Sequence, residues 1–131
     1  MNRPEPEQRD LFAIADLARE FGISTRAIRF YEAKGLITPE RVGSTRIFRR
    51  RDRARLILIL RGKRLGFSLR DISDYLSLYD ADRTHRAQVS MLVEMVDARM
   101  QMLEGQLQDL QTTISELKEI RKLARERLAQ G

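Results

Sequence analysis

The chain of 131 residues contains no cysteine, no tryptophan and one histidine, His85. Without thiols there are no disulfides, no thiolate zinc or iron–sulfur ligation and no cysteine nucleophile. His85 has no second His or Cys to work with, so it reads as a solvated hinge residue rather than a ligand or base. Proline is scarce at three residues, and Pro4 and Pro6 mark residues 1–10 as a loose polar tail. No apolar run approaches the ~18–20 residues of a membrane span, so a soluble cytoplasmic protein is expected. No catalytic carboxylate pair, activated nucleophile or phosphate-cradling glycine loop is recognisable, so neither an enzyme nor a cofactor is expected. The length suits one small domain with an appendage.

Acidic residues are also unevenly scarce. The chain carries 25 Lys+Arg against 19 Asp+Glu, a net charge of +6. Residues 1–82 hold 17 basic and 12 acidic residues, a net +5, and the remainder 8 and 7, a net +1. Between Arg41 and Arg70 stand eleven basic residues, ten of them Arg, against the single acid Asp52. A run of charge is ordinarily a solvated face. Here Ile47, Phe48 and the stretch Leu56–Leu60 interrupt it, so it belongs to folded chain. Guanidinium forks suit phosphate, which makes nucleic acid the leading partner, with an anionic protein or membrane surface behind it.

Local patterning resolves the first 80 residues. Ile14, Leu17, Ala18 and Phe21 follow helical spacing up to Gly22. Ser24 can cap a second helix through Ile28 and Tyr31, with Gly35 as stop and Leu36 as its hydrophobic contact. Two short helices split by Gly22-Ile23-Ser24 form a helix-turn-helix pattern. Pro39 bars further helix, and the runs 37–42 and 45–48 around Gly43-Ser44 read as a hairpin with Arg41 and Arg46 projecting. A helix from about Arg50 to Leu65 is expected to turn Leu56, Ile57, Leu60 and Leu65 inward. Arg49, Arg50 and Arg51 crowd its N-terminus, where the macrodipole disfavours cations and accepts a phosphate. After Gly66, Ser68 with Asp71 resembles a capping box, making Asp71 a cap rather than an acid catalyst. The helix it opens runs through Leu69, Ile72, Leu76 and Tyr79.

Beyond a polar hinge at 80–84 the pattern becomes heptad. One column is Val89, Val96, Leu103, Leu110, Leu117 and Ala124; the interleaved one is Val93, Met100, Leu107, Ile114, Arg121 and Leu128. Forty residues of helix reach ~60 Å, so a helix over 85–128 is too long to find its core in an 80-residue head. A coiled coil with a second copy of the chain is the expectation; spacing alone leaves its orientation open. The domain organisation read here is a tail over 1–10, a DNA-binding head over 11–80 and a dimerisation helix over 85–128.

Ile14-Ala15-Asp16-Leu17-Ala18, Gly22 through Glu32 (with Arg29-Phe30-Tyr31-Glu32), Gly35-Leu36-Ile37, Arg46-Ile47-Phe48 and Leu65-Gly66-Phe67-Ser68-Leu69 stand at spacings that together resemble the MerR family of bacterial transcription regulators. The resemblance spans about residues 11–79. It implies a mostly α fold: a winged helix-turn-helix head with a small β-hairpin wing, and a long dimerisation helix that pairs antiparallel in relatives. It further implies a homodimer on a pseudo-palindromic promoter operator, distorting the spacer so that RNA polymerase engages both promoter elements.

By this resemblance Thr25, Arg26 and Arg29 reach the major groove or its backbone, Tyr31 holds a phosphate, and Arg46 lies along the backbone or minor groove. Lys63 or Arg64 adds a phosphate contact, and Arg49 stands where relatives carry a Ser or Thr cap. Phe30 and Phe48 replace a tyrosine frequent in the family. The plain alternatives are an Arg29–Glu32 salt bridge and a core role for Tyr31. Relatives that sense metals or oxidants use cysteines, which are absent here, and only 129–131 follow the last heptad, where drug-binding relatives carry a further domain. The block 58–69 is most like short members controlling branched-chain amino-acid and fatty-acid breakdown, which would place an effector near Tyr75, Tyr79 and Arg83. The residues equally accommodate a regulator without effector, a DNA-bending nucleoid or recombination accessory, or a coiled-coil adaptor whose basic head binds an acidic protein.

Overall fold

The computed structural model describes residues 9–80 and 86–131. Arg83 and His85 lie outside the described residues, as does most of the 1–10 segment. The chain divides into two compact units, Met1–His85 and Arg86–Gly131.

The first unit opens with a two-residue strand β1 (Leu11–Phe12), then helices α1 (Ile14–Phe21) and α2 (Thr25–Ala33). The break between the helices is locally encoded: Ile23 N–H bonds Ala18 carbonyl at 3.0 Å, and Ser24 Oγ accepts from Ala27 N–H at 3.0 Å. The end of α2 is a Schellman arrangement in which Leu36 N–H bonds the Tyr31 carbonyl at 3.0 Å, and Leu36 folds into the core.

Strands β2 (Glu40–Val42) and β3 (Thr45–Arg49) form the hairpin, pairing Arg41 with Arg46 and Val42 with Thr45. Its two-residue turn places Gly43 at φ 64° while Ser44 stays at negative φ. That is the type II′ geometry, whose first position favours glycine. Strand β1 adds on the other side of β3, Phe12 opposite Phe48, giving the antiparallel order β1-β3-β2. Sequence patterning missed β1, because two residues carry no periodicity of their own.

Helix α3 (Arg50–Arg64) follows β3 directly and α4 (Leu69–Ser77) packs against it. The buried line of α3 is Asp52, Leu56, Ile59 and Gly62; of the expected residues Leu56 is buried and Leu60 packs half-buried against the core, whereas Ile57 and Leu65 do not belong to it. The apolar run 56–60 covers too much of the helix circumference to fix its rotation, and packing decides it; Leu65 is exposed. The close approach of α4 needs Gly62, where an added Cβ would stand 2.9 Å from Ile72 Cγ1. The Ser68–Asp71 box closes reciprocally, with both bonds at 3.1 Å. Ile72 and Leu76 are buried, whereas Leu69 and Tyr79 are exposed.

Nor does the N-terminus of α3 stand uncompensated. Asp52, the only buried charged side chain among the described residues at 6% exposure, accepts Arg49 N–H at 2.9 Å and Thr38 N–H at 3.3 Å. An acid in the first turn both caps the helix and offsets its dipole. The core joins Phe12, Leu17, Ile28, Ile37, Phe48 and Leu56 across the sheet and all four helices, with Ile59, Ile72 and Leu76.

The second unit is a single helix, α5 (Arg86–Ala129), of 44 residues and about 66 Å at 1.5 Å per residue. Of the heptad columns, Val93, Met100, Leu103, Leu107, Leu110, Ile114 and Leu117 are exposed, and Val89 and Val96 are half-buried. Where Arg121 interrupts the second column, Ile120 and Leu123 are exposed apolar residues beside it, so the apolar line shifts near that end of the helix.

Gly62→Ala tests the packing of α3 on α4. Overpacking of a filled core costs about 1–3 kcal/mol and outweighs the ~1 kcal/mol that Ala gains over Gly in helix propensity. The variant is expected to unfold at lower urea than the parent with an unchanged slope; an equal or higher midpoint would mean the contact yields freely.

Candidate nucleic-acid interface

The buried side of α2 is set by Ile28 and Tyr31, which turns Arg26, Arg29, Phe30 and Ala33 outward on one stripe at spacings of three and four. Thr25 at the start of the helix is half-buried. Arg26 and Arg29 are exposed and form no ion pair with another described residue. The alternative pairing of Arg29 with Glu32 is not the one formed: Glu32 turns to the hairpin instead.

Glu32 Oε1 accepts from Arg46 Nε at 2.6 Å and Oε2 from Arg41 Nη2 at 3.1 Å. One carboxylate at the end of α2 thus ties down both strands of the wing. Arg46 is the more covered of the two arginines and Arg41 the more exposed. Burial works against ionisation of Glu32, but hydrogen bonds and charge from Arg46 and Arg41 outweigh it and hold the carboxyl below its ordinary value of 4.5.

Similar pairing occupies most of the arginines around the start of α3. Arg49 forks onto Glu40 at 2.8 and 3.1 Å, and their hydrogen bond and mutual charge lower the Glu40 pKa and raise that of Arg49. Arg50 lies 3.8 Å from Asp10, and Arg53 bonds Glu20. Arg55 donates to the Leu36 carbonyl at 2.7 Å and to Asp80 at 3.1 Å, and Arg51 stands 3.8 Å from the same carboxylate. A cleft of about 400 Å³ here is lined by Arg49, Arg51 and Arg55 against Glu40, Asp52 and Asp80. Three cations face three anions, so it offers no excess charge to an incoming phosphate. The density of arginine is plain in the sequence, but its pairing with Glu32, Glu40 and Asp80 is not, because these acids lie far along the chain from the arginines they hold.

The remaining candidates separate by exposure. Tyr31 is 2% exposed, with its ring edge-on to Phe30 at 5.8 Å. That burial fits the core role. Lys63 lies 6.0 Å from the Tyr31 ring centroid, and Arg64 is exposed with no ion pair to a described residue. Tyr75 and Tyr79 do come together, edge-on at 5.7 Å, with Phe67 at 5.9 Å from Tyr75 and Arg61 donating to the Tyr75 hydroxyl at 3.3 Å. The hydrogen bond and charge of Tyr75 push the Tyr79 phenol above its ordinary value. Tyr79 is 60% exposed, so the pair forms a ledge and not an enclosed pocket; Arg83, its third proposed member, is outside the described residues.

Comparison with known proteins bears on this arrangement directly. The family described as "MerR HTH family regulatory protein" matches residues 12–78, and the one described as "MerR, DNA binding" matches residues 53–120. The chain belongs to the MerR family.

Among MerR-family relatives, the HTH-type transcriptional regulator CueR of Salmonella typhimurium is 30% identical over 110 residues, covering 82% of this chain and 72% of that protein. The mercuric resistance operon regulatory protein of Shigella flexneri is 36% identical over 108 residues, covering 79% and 72%. A solved structure of HiNmlR, described as a MerR family regulator lacking the sensor domain and bound to promoter DNA, shares the fold at TM-score 0.57. It is 22% identical, over 80% of this chain and 79% of that one. The regulator SkgA of Caulobacter crescentus superposes at TM-score 0.52 with 26% identity, over 85% and 80%. The expected winged helix-turn-helix head and long C-terminal helix are therefore the observed fold, and the chain is a transcriptional regulator of the helix-turn-helix class.

The lowered Glu32 pKa carries a pH signature. A depressed folded value means the clamp stabilises the head fully above the ordinary value of 4.5 and loses that contribution as pH falls through the folded value. Carboxyl titration by NMR is expected to place the Glu32 midpoint below 4.5, with Glu32→Gln removing that titration and lowering amide protection in β2 and β3. A midpoint above 4.5 would mean the arginines do not hold it.

Proposed function

We propose that this MerR-family chain is a sequence-specific DNA-binding regulator that works as a homodimer on a pseudo-palindromic promoter operator. The observation that carries the reading is the outward stripe of α2, where Arg26 and Arg29 stand exposed and pair with no described residue while other arginines of the head are held by carboxylates. Free guanidinium forks on a helix that can enter a major groove are the chemistry of guanine readout, with Thr25 beside them. Lys63 and Arg64 at the end of α3 and the more exposed Arg41 of the clamped wing supply backbone contacts, whereas Arg46 and Arg49, held by Glu32 and Glu40, would reach a phosphate only by exchanging those partners.

The exposed apolar columns of α5 support self-association. Seven large apolar side chains from Val93 to Leu117 at heptad positions stand in water on a single copy, and a second copy would cover them. Two heads on one dimer match two half-sites, and bending or untwisting the spacer between them would serve RNA polymerase. HiNmlR was solved on promoter DNA, which supports the same partner here. This activity places the protein with chromosomal DNA in the cytoplasm, and among the described residues no helix is long and apolar enough to cross a membrane.

The signal differs from that of a thiolate sensor. PbrR691 of Ralstonia metallidurans was solved with lead(II); the present chain has no cysteine to offer a soft metal. The Tyr75–Tyr79 ledge is the candidate place for an effector.

Two measurements test the reading. Selection from random duplexes followed by footprinting is expected to return an inverted repeat, with affinity falling steeply with salt. Arg29→Ala is expected to lose about 1–3 kcal/mol of specific binding while keeping its non-specific affinity. Protection scattered without sequence preference would favour the DNA-bending accessory, and no binding at low salt the adaptor. Light scattering is expected to give twice the 15.3 kDa chain mass, and Leu107→Glu with Leu110→Glu to return a monomer without tight operator binding; an unaltered dimer would overturn the role of these columns.

A further inference from the structure

Phe30 stands on the same outward stripe as the two free arginines, one residue after Arg29 and one helical turn after Arg26. It is 45% exposed, although the core lies one residue further along at Tyr31. Its ring is nonetheless fixed on two sides. The Tyr31 ring meets it edge-on at 5.8 Å and 63°, and the Lys34 ammonium lies 5.5 Å from its centroid. A single exposed apolar residue is ordinary on a protein surface. What distinguishes this one is its place: a phenyl ring flanked by Tyr31 and Lys34 on the face of α2 whose guanidinium groups pair with no described residue.

We propose that Phe30 is a specificity-determining residue that packs on the C5-methyl of a thymine beside a base pair read by Arg26 or Arg29. A phenyl ring has no donor for a phosphate oxygen and no acceptor for a base amino group. The one apolar group that a standard base pair presents in the major groove is the thymine methyl, and apolar side chains read it by contact. An exposed ring held by its neighbours loses little freedom on making that contact. Phe30 thus adds a thymine to the half-site at a position where a hydrogen-bonding side chain would select differently. The inference rests on the proposed DNA-binding function and deepens it.

The test uses the full-length chain and the duplex recovered by selection. Each thymine of one half-site is replaced in turn by deoxyuridine, which removes only the methyl group. One such replacement is expected to weaken binding by the parent about 3- to 10-fold, the scale of one buried methyl, and others to leave it unchanged. Phe30→Ala is expected to bind the thymine and uracil duplexes equally, and Phe30→Leu to keep part of the preference. Because the ring is exposed and Ala favours helix, both variants are expected to melt with the parent in circular dichroism. If the chain binds its operator but no thymine-to-uracil change weakens it, or the effect persists in Phe30→Ala, the role of Phe30 is overturned and the DNA-binding reading stands. If no duplex is bound at any salt, both fall.

Discussion

The carboxylate of Asp52 lies buried beside the otherwise apolar core of the head, and three segments end on it. It accepts the backbone of Thr38 in the loop after α2 and of Arg49 at the end of the wing, while sitting in the first turn of α3. A buried carboxylate is tolerated only when its lone pairs are met by donors, so the loop, the wing and the helix must all be present for it to sit there. That constraint sets where β3 stops and α3 begins, and therefore where the wing projects from the head.

A second carboxylate, Glu32, extends the same logic outward. By holding Arg41 and Arg46 together it makes the end of α2 and the hairpin one piece, so the outward stripe of α2 and the wing keep a fixed relation. Arginines that a count of charges treats as alike are thereby divided into two populations. Arg49, Arg53 and Arg55 build the head through Glu40, Glu20 and Asp80, whereas Arg26, Arg29 and Arg64 pair with no described residue. A basic region of net +10 over thirty residues is in large part internal structure, and the proposed reading face rests on far fewer charges.

Much of the head was legible from sequence because its signals are local. Gly22, Ser24, Gly35 and Ser68 act on backbone groups within a few residues, so the helix ends could be read from them. The hairpin followed from Pro39 and Gly43-Ser44 in the same way. What escaped was long-range. Strand β1 exists only through its pairing with β3 some 36 residues later, and the rotation of α3 is decided by α4. The candidate site divides likewise. Arg26 and Arg29 were legible through the resemblance to the MerR family, and the burial of Ile28 and Tyr31 turns them outward. The clamp was not, since Glu32 lies 9 and 14 residues from its two partners and any nearby acid would have read the same.

The sequence by itself determined the membership of the MerR family, the order of helices and wing, the heptad columns of α5 and the absence of thiol chemistry. Each follows from residue type and spacing along the chain. Only the tertiary structure decided which arginines are free, that Tyr31 is core, that Phe30 is not, and that Asp52 and Glu32 hold the wing in place. These depend on distances between residues far apart in the chain, and burial and ion pairing are properties of that packing.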